Sequence, residues 1–217
     1  HVVLPEVDGK IFAGIVSTKE ATKKDQNLQY SRFIHSPLEE RVIQISVKID
    51  KWIKLQTKHK KDEVPKVALV LSTYPGKKWQ MAHAVGLDAI ASAAAVATDC
   101  SLTQFDLTNI PARLENEEIL WPVASYRAAL STLPNKLKNM LTKAWGEPED
   151  DPDVVDNCFK FPAFREGFSL IALQPERGRP DIRDEEYHDL GRTPRHSYVA
   201  FYLWLQNEDI DAVIHMG

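Results

Sequence analysis

Lys66-Val67-Ala68-Leu69-Val70-Leu71-Ser72-Thr73-Tyr74-Pro75-Gly76 is the stretch on which the fold turns. Within residues 66–71, Val67 to Leu71 follow Lys66 as a continuous apolar run with β-branched side chains and no polar alternation. Such a strand must be covered on both faces, as in a parallel sheet. Ser72 to Gly76 supply a turn, and an alanine-rich helix is expected from about residue 82 to 97. Strand, loop and helix then form one unit, and ligands of such sheets sit beyond the carboxyl ends of the strands. Residues 74–88 are therefore a candidate site region.

The same logic extends downstream. A helix is expected from Pro122, with Val123, Tyr126, Leu130 and Leu133 in register, and a second from Pro134, with Leu137, Leu141 and Trp145, stopped at Gly146. Together they read as an αα-hairpin. Residues 147–156 carry six carboxylates and two prolines without the glycine hinge of an EF-hand, the pattern of a solvated loop. Residues 168–173 (FSLIAL) repeat the buried-strand pattern, 196–205 (HSYVAFYLWL) read as a largely buried helix, and 211–215 (DAVIH) as a closing strand. The fold class is α/β, with a parallel or mixed sheet, flanking helices and an αα-hairpin.

Upstream, Val2 to Leu4 and Ile11 to Val16 read as a hairpin around Asp8-Gly9, followed by polar loop to Ile34. Ser36-Pro37-Leu38-Glu39 has the form of a capping box, and Leu38, Val42, Ile45, Ile49 and Trp52 then repeat on one helical face. The lysine-rich stretch after residue 58 reads as a linker, dividing the chain into 1–62, the end of a preceding segment with its connecting helix, and 63–217, a partial α/β core. With no initiator Met, and with the end falling on a strand, the chain is expected to be a piece of a larger protein.

Composition narrows the function classes. The 217 residues carry 27 basic and 31 acidic side chains, a net charge of −4, so nothing favours nucleic acid or an anionic membrane as partner. No apolar run approaches the length of a membrane span, and a cytoplasmic location is expected. Cys100 and Cys158 fit neither a disulfide framework nor a zinc knuckle, and are expected to be free, buried thiols. There is no phosphate loop, no dinucleotide fingerprint and no serine-nucleophile elbow. Any ATP is expected to bind a separate chain.

Chemistry concentrates near the carboxyl end. His188, His196 and His215 lie within the last thirty residues, and His215 sits at the predicted carboxyl end of a strand. Neutral imidazole suits divalent cobalt, nickel and zinc, and can accept a proton near neutral pH. The bland alternative is that each satisfies a backbone carbonyl. Residues 174–195 hold five arginines, six acids and a histidine with few apolar residues, a long charged stretch of the kind that is functional or disordered. Arg177 and Arg195 could grip carboxylates bidentately, although pairing with acids such as Glu176 and Asp181 competes. Tyr74, Trp79 and His83 could flank a flat ring, and Asp88 could simply cap a helix.

Several of these stretches together resemble a known family. Leu71-Ser72-Thr73-Tyr74-Pro75-Gly76 with Ala82-His83-Ala84-Val85-Gly86-Leu87-Asp88, Leu173-Gln174-Pro175-Glu176-Arg177-Gly178, Tyr187-His188-Asp189, Pro194-Arg195-His196 and Ala200-Phe201-Tyr202-Leu203-Trp204-Leu205 resemble, in order, the large subunits of aerobic cobaltochelatases, relatives of the magnesium chelatase large subunits. Leu4-Pro5-Glu6-Val7-Asp8-Gly9 matches the preceding segment, so nearly the whole chain is covered. The resemblance implies insertion of Co²⁺, as substrate metal, into hydrogenobyrinic acid a,c-diamide in cobalamin synthesis. It also implies a AAA+ ATPase subunit that hydrolyses the ATP, and a third subunit. On that pattern His215 and His188 are expected as catalytic groups, His196 and His215 as metal ligands, and Arg177, Arg195, Tyr74 and His83 as substrate contacts. Residues 98–111 are shorter and more polar than in the family, so part of the sheet is expected to be altered or missing there. The piece alone is expected to be inactive. A magnesium-inserting subunit, or a scaffold that docks the motor subunits, are the competing readings.

Overall fold

The computed structural model describes residues 13–72, 83–84, 87–100, 109–178 and 192–216. It divides into two units, residues 1–63 and 64–217.

In the first unit, β1 (Ser17–Ala21) pairs antiparallel with β2 (Phe33–Pro37), Ser17 opposite Pro37 and Ala21 opposite Phe33. This corrects the expected loop over residues 17–34, and no strand occupies residues 13–16. The ribbon is exposed along most of its length, so it lacks the apolar alternation by which a half-buried strand is recognised. Helix α1 (Glu39–Lys60) begins after Leu38, which makes no side-chain cap. The expected capping box does not form, because Ser36 and Pro37 are drawn into β2. Glu39 and Glu40 in the first turn, and Lys58 and Lys60 in the last, complement the helix dipole instead. The expected hairpin strand at 2–4 lies outside the described residues.

The second unit is built on β3 (Val67–Leu71), fully buried as its apolar run requires. It lies between two parallel neighbours, β9 (Ser169–Leu173) and β10 (Ala212–Met216), with Val70 opposite both Ala172 and His215. Beyond β9 the sheet turns antiparallel through β8 (Cys158–Glu166) to β6 (Glu118–Pro122), with short β7 (Val154–Val155) also on β8. The sheet is therefore mixed. Two-residue strands β4 (His83–Ala84) and β5 (Leu87–Asp88) form a separate ladder.

Side chains alternate across this sheet, and each face has its own cover. Ala68, Val70, Leu170, Ala172 and Phe161 pack beneath α6 (His196–Asn207) and α4 (Val123–Ser131). Val67, Leu69, Leu71, Ile171 and Met216 pack on α2 (Ala89–Asp99) and α3 (Ile110–Asn116). Ala89, Ala93 and Ala97 repeat every fourth residue and are fully buried, which lets the α2 backbone lie close to the strands. This helix starts later than expected from composition, at Asp88, whose carboxylate accepts the Ala91 N–H at 3.0 Å. The αα-hairpin forms as α4 and α5 (Asn135–Trp145), and α5 ends at Gly146, where φ is 77°. Across residues 98–111, where part of the sheet is expected to be altered or missing, α2 ends at Asp99 and α3 starts at Ile110 and leads into β6, while 101–108 lie outside the described residues. Both cysteines are free, but Cys100 is exposed and Cys158 half-buried rather than both buried. Among the described residues no helix is long and apolar enough to cross a membrane.

Candidate functional site

The three parallel strands end together, and polar groups gather there. Ser72 N–H donates to Met216 O at 3.0 Å and Gln174 N–H to Leu71 O at 2.9 Å, tying β10, β3 and β9 at their carboxyl ends. Ser72 Oγ donates to Gln174 Oε1 at 3.2 Å, and Gln174 Nε2 donates to Tyr198 Oη at 3.0 Å. Tyr198 lies in the first turn of α6, and its ring centre is 5.1 Å from that of Tyr202 one turn later. Tyr202 in turn stacks on His215, with ring centres 5.8 Å apart and planes 28° from parallel. Burial, reinforced by the adjacent Tyr198 hydroxyl, raises the Tyr202 phenol above its ordinary value, so it stays protonated. His215 itself is exposed. A contact chain thus runs from the strand ends through two tyrosines to an accessible imidazole.

The start of α6 is fastened from the other side. The Arg195 guanidinium, 3% exposed, reaches Asp151 Oδ1 at 2.6 Å and Asp153 Oδ2 at 2.9 Å. Burial pulls that guanidinium down, but the hydrogen bond to Asp151 and the two negative charges outweigh it, and its pKa is raised. Asp151 Oδ2 accepts the Ser197 N–H at 3.0 Å, so a distant carboxylate caps the helix. Next to it, His196 is bound at both nitrogens. Tyr126 Oη lies 2.8 Å from Nδ1, and Nε2 lies 3.1 Å from Gly146 O. A carbonyl can only accept, so Nε2 carries the hydrogen and Tyr126 donates to Nδ1. Burial, then the Asp151 charge, push the Tyr126 phenol above its ordinary value, which keeps it a donor. Tyr126→Phe would leave Nδ1 buried and unpaired. A loss of about 1–3 kcal/mol is expected in denaturant unfolding, with unchanged far-ultraviolet circular dichroism.

The sequence-predicted site residues separate accordingly. His215 and Arg177 remain near the strand ends. Arg177 is exposed, its guanidinium donating to Arg192 O at 3.2 Å and its carbonyl accepting from Arg195 N–H at 2.9 Å. Arg195 and His196 face inward, with their polar atoms engaged by the αα-hairpin and the acidic segment after it. Tyr74 and His188 lie outside the described residues, and for His83 the backbone alone is described, paired with Asp88. Among the described residues no group of three or more His, Cys, Asp and Glu could hold a metal ion.

Three participants escape a reading of the sequence. Gln174, Tyr198 and Tyr202 carry the contact chain, and the one available signal, two tyrosines four apart, also fits ordinary helix packing. At the opposite end of the sheet a groove of about 430 Å³ is lined by Lys66, Arg165, Phe168, Ser169 and Glu208. Its charges are already matched, Arg165 to Glu208 at 2.7 Å and Lys66 to Asp209. The carboxyl end, with an accessible imidazole and an outward arginine, is the better candidate.

The family model described as CobN/Magnesium Chelatase matches residues 1–217. The aerobic cobaltochelatase subunit CobN of Sinorhizobium sp is 29% identical over all of this chain and 18% of that protein. The magnesium-chelatase subunit ChlH of Oryza sativa subsp. indica is 22% identical over all of this chain and 16% of that protein. Among solved structures, the catalytic subunit of cobaltochelatase from Mycobacterium tuberculosis matches with a TM-score of 0.69 and 28% identity, over 99% of this chain and 19% of that one. The chain thus spans under a fifth of the length of these relatives.

Proposed function

Because the chain belongs to the CobN/magnesium chelatase family along its whole length, we propose that it is the part of a cobaltochelatase large subunit that brings a metal-handling imidazole to the tetrapyrrole. The substrate of this reading is hydrogenobyrinic acid a,c-diamide, the metal Co²⁺, and the setting cytoplasmic cobalamin synthesis. ATP is hydrolysed on a AAA+ partner, with a third subunit completing the complex. Whole-chain similarity to CobN proteins at 28–29% against 22% for ChlH favours cobalt over magnesium.

The supporting observation is His215. It is exposed, sits one residue from the end of β10, and adjoins the polar cluster at the carboxyl ends of β3 and β9. Metal insertion requires removing water from the cation, deforming the ring and taking up two pyrrole protons. An accessible imidazole can hold a cation weakly or accept a proton. Arg177, exposed beside the same strand ends, is suited to a peripheral carboxylate. Arg195 and His196 serve the site by fixing the start of α6.

The test is His215→Ala in the full-length subunit, assayed with its ATPase partner. Cobalt insertion is expected to fall by at least about a hundredfold, within the range of general acid-base contributions, while ATP hydrolysis continues at its usual rate. Unchanged cobalt insertion would remove His215 from the reaction. Faster insertion of Mg²⁺ into protoporphyrin by the unmodified subunit would move the assignment to the other branch of the family.

A docking scaffold is the second reading, and one feature favours it. Helix α1 buries none of its residues and exposes Ile43, Val47 and Ile53. Exposed apolar surface of this kind marks interaction sites. Capture of the AAA+ subunit by the 217-residue chain, with no tetrapyrrole binding, would support it.

A further inference from the structure

The exposed imidazole does not stand alone, and what supports it is unusual for a surface histidine. The Tyr202 ring stacks on it with ring centres 5.8 Å apart and planes 28° from parallel. Tyr202 is half-buried, held by Tyr198 on its own helix at 5.1 Å, and Tyr198 is held by Gln174 from the end of β9 at 3.0 Å. Gln174 is itself bonded to Ser72 at the end of β3. Three strands and one helix therefore contribute to the placement of a single side chain.

An imidazole on an edge strand rotates freely about its last torsion unless something packs on its face. A ring stacked on a second, immobilised ring is confined to orientations near parallel to it, so its in-plane lone pairs are held close to one plane. Orientation matters because a base or a cation ligand acts along the in-plane axis of its lone pair, and misplacement lowers rate without lowering substrate affinity.

We propose that Tyr202 is a positioning residue for His215, and that Gln174 and Tyr198 hold it in place. The proposal rests on the assignment of His215 to metal insertion made above. Tyr202 touches neither metal nor ring; it sets the plane of the imidazole that does.

The decisive comparison is Tyr202→Leu with Tyr202→Phe in the full-length subunit, beside His215→Ala. Leucine keeps apolar bulk on the buried side of α6 but removes the stacking partner; phenylalanine keeps the stack and loses only the hydroxyl. Tyr202→Leu is expected to lower kcat for Co²⁺ insertion about fivefold to tenfold, the range an aromatic pair supplies, with KM for the tetrapyrrole and partner ATP hydrolysis unchanged. Tyr202→Phe is expected to restore the rate. A Tyr202→Leu rate equal to the unmodified enzyme would overturn the proposal, and so would equal losses in both variants, which would implicate the hydroxyl. If His215→Ala inserts cobalt normally, the His215 assignment fails instead. Thermal denaturation of each variant separates loss of orientation from loss of fold, and a Tyr202→Phe protein that is folded yet as slow as Tyr202→Leu counts against the stack.

Discussion

Asp151→Ala is expected to destabilise the second unit by about 3–5 kcal/mol, the range for breaking a buried ion pair from one side. The Asp151 and Arg195 side chains are 2% and 3% exposed, so removal of the carboxylate leaves a guanidinium with little access to water. Asp151 does more than neutralise Arg195. It accepts the Ser197 N–H at 3.0 Å and the Asp153 N–H at 3.1 Å, closing both the start of α6 and its own turn. Asp153 is 39% exposed on its side chain and keeps more contact with water than Asp151, so Asp153→Asn should cost less than Asp151→Ala. The pair's net contribution is another matter, since apolar replacement of both members of a buried ion pair is often neutral. Asp151→Leu with Arg195→Met should therefore lose less than the two single changes added together. Urea unfolding followed by tryptophan fluorescence reads these differences, and an Asp151→Ala midpoint equal to that of the unmodified chain would refute the latch.

Phe161→Ala should cost a similar amount, about 3–5 kcal/mol, for a different reason. Phe161 is fully buried near the centre of the face that α6 covers. Its ring stacks on Trp204 at 5.1 Å and meets Phe201 edge-on at 5.4 Å, both on α6. Truncation therefore leaves a cavity bounded by rigid rings that cannot easily collapse into it, and forfeits these two aromatic pairs and the stacked pair with Phe159 as well. Phe168, 48% exposed at the turn before β9, is the matched control, and its truncation should change stability by under about 1 kcal/mol. Similar losses at both positions would show that the aromatic cluster is less tightly packed than its geometry implies. Because α6 also carries Tyr198 and Tyr202, a loosened Phe161 site should disturb His215 before the chain unfolds.

Much of the architecture was legible because its signals are local. Residues 66–71 and 168–173 announced strands covered on both faces, and both became parallel partners at the heart of the sheet. Pro122, Pro134 and Gly146 marked the bounds of the αα-hairpin within a residue, since their backbone restrictions act in place. Strand β8 was illegible for an equally physical reason. Pro162 within 158–166 argues against a strand, yet it lies where β8 changes partner, pairing with β6 up to Pro162 and with β9 from Ala163.

The α/β class and the candidate location at the carboxyl ends of the strands follow from residue order and periodicity, and the family from the resemblance of its motif series. Which member of each motif faces outward does not. Pro194-Arg195-His196 reads as substrate and metal chemistry, but Arg195 meets Asp151 across 44 residues and His196 meets Tyr126 across 70. Conversely, Tyr202 reads as core and packs against it, but the ring also stacks on His215. Charge, ring size and spacing are properties of the chain, whereas desolvation and pairing depend on partners brought together by packing, and only the tertiary structure decided which of these side chains are buried and paired and which are exposed.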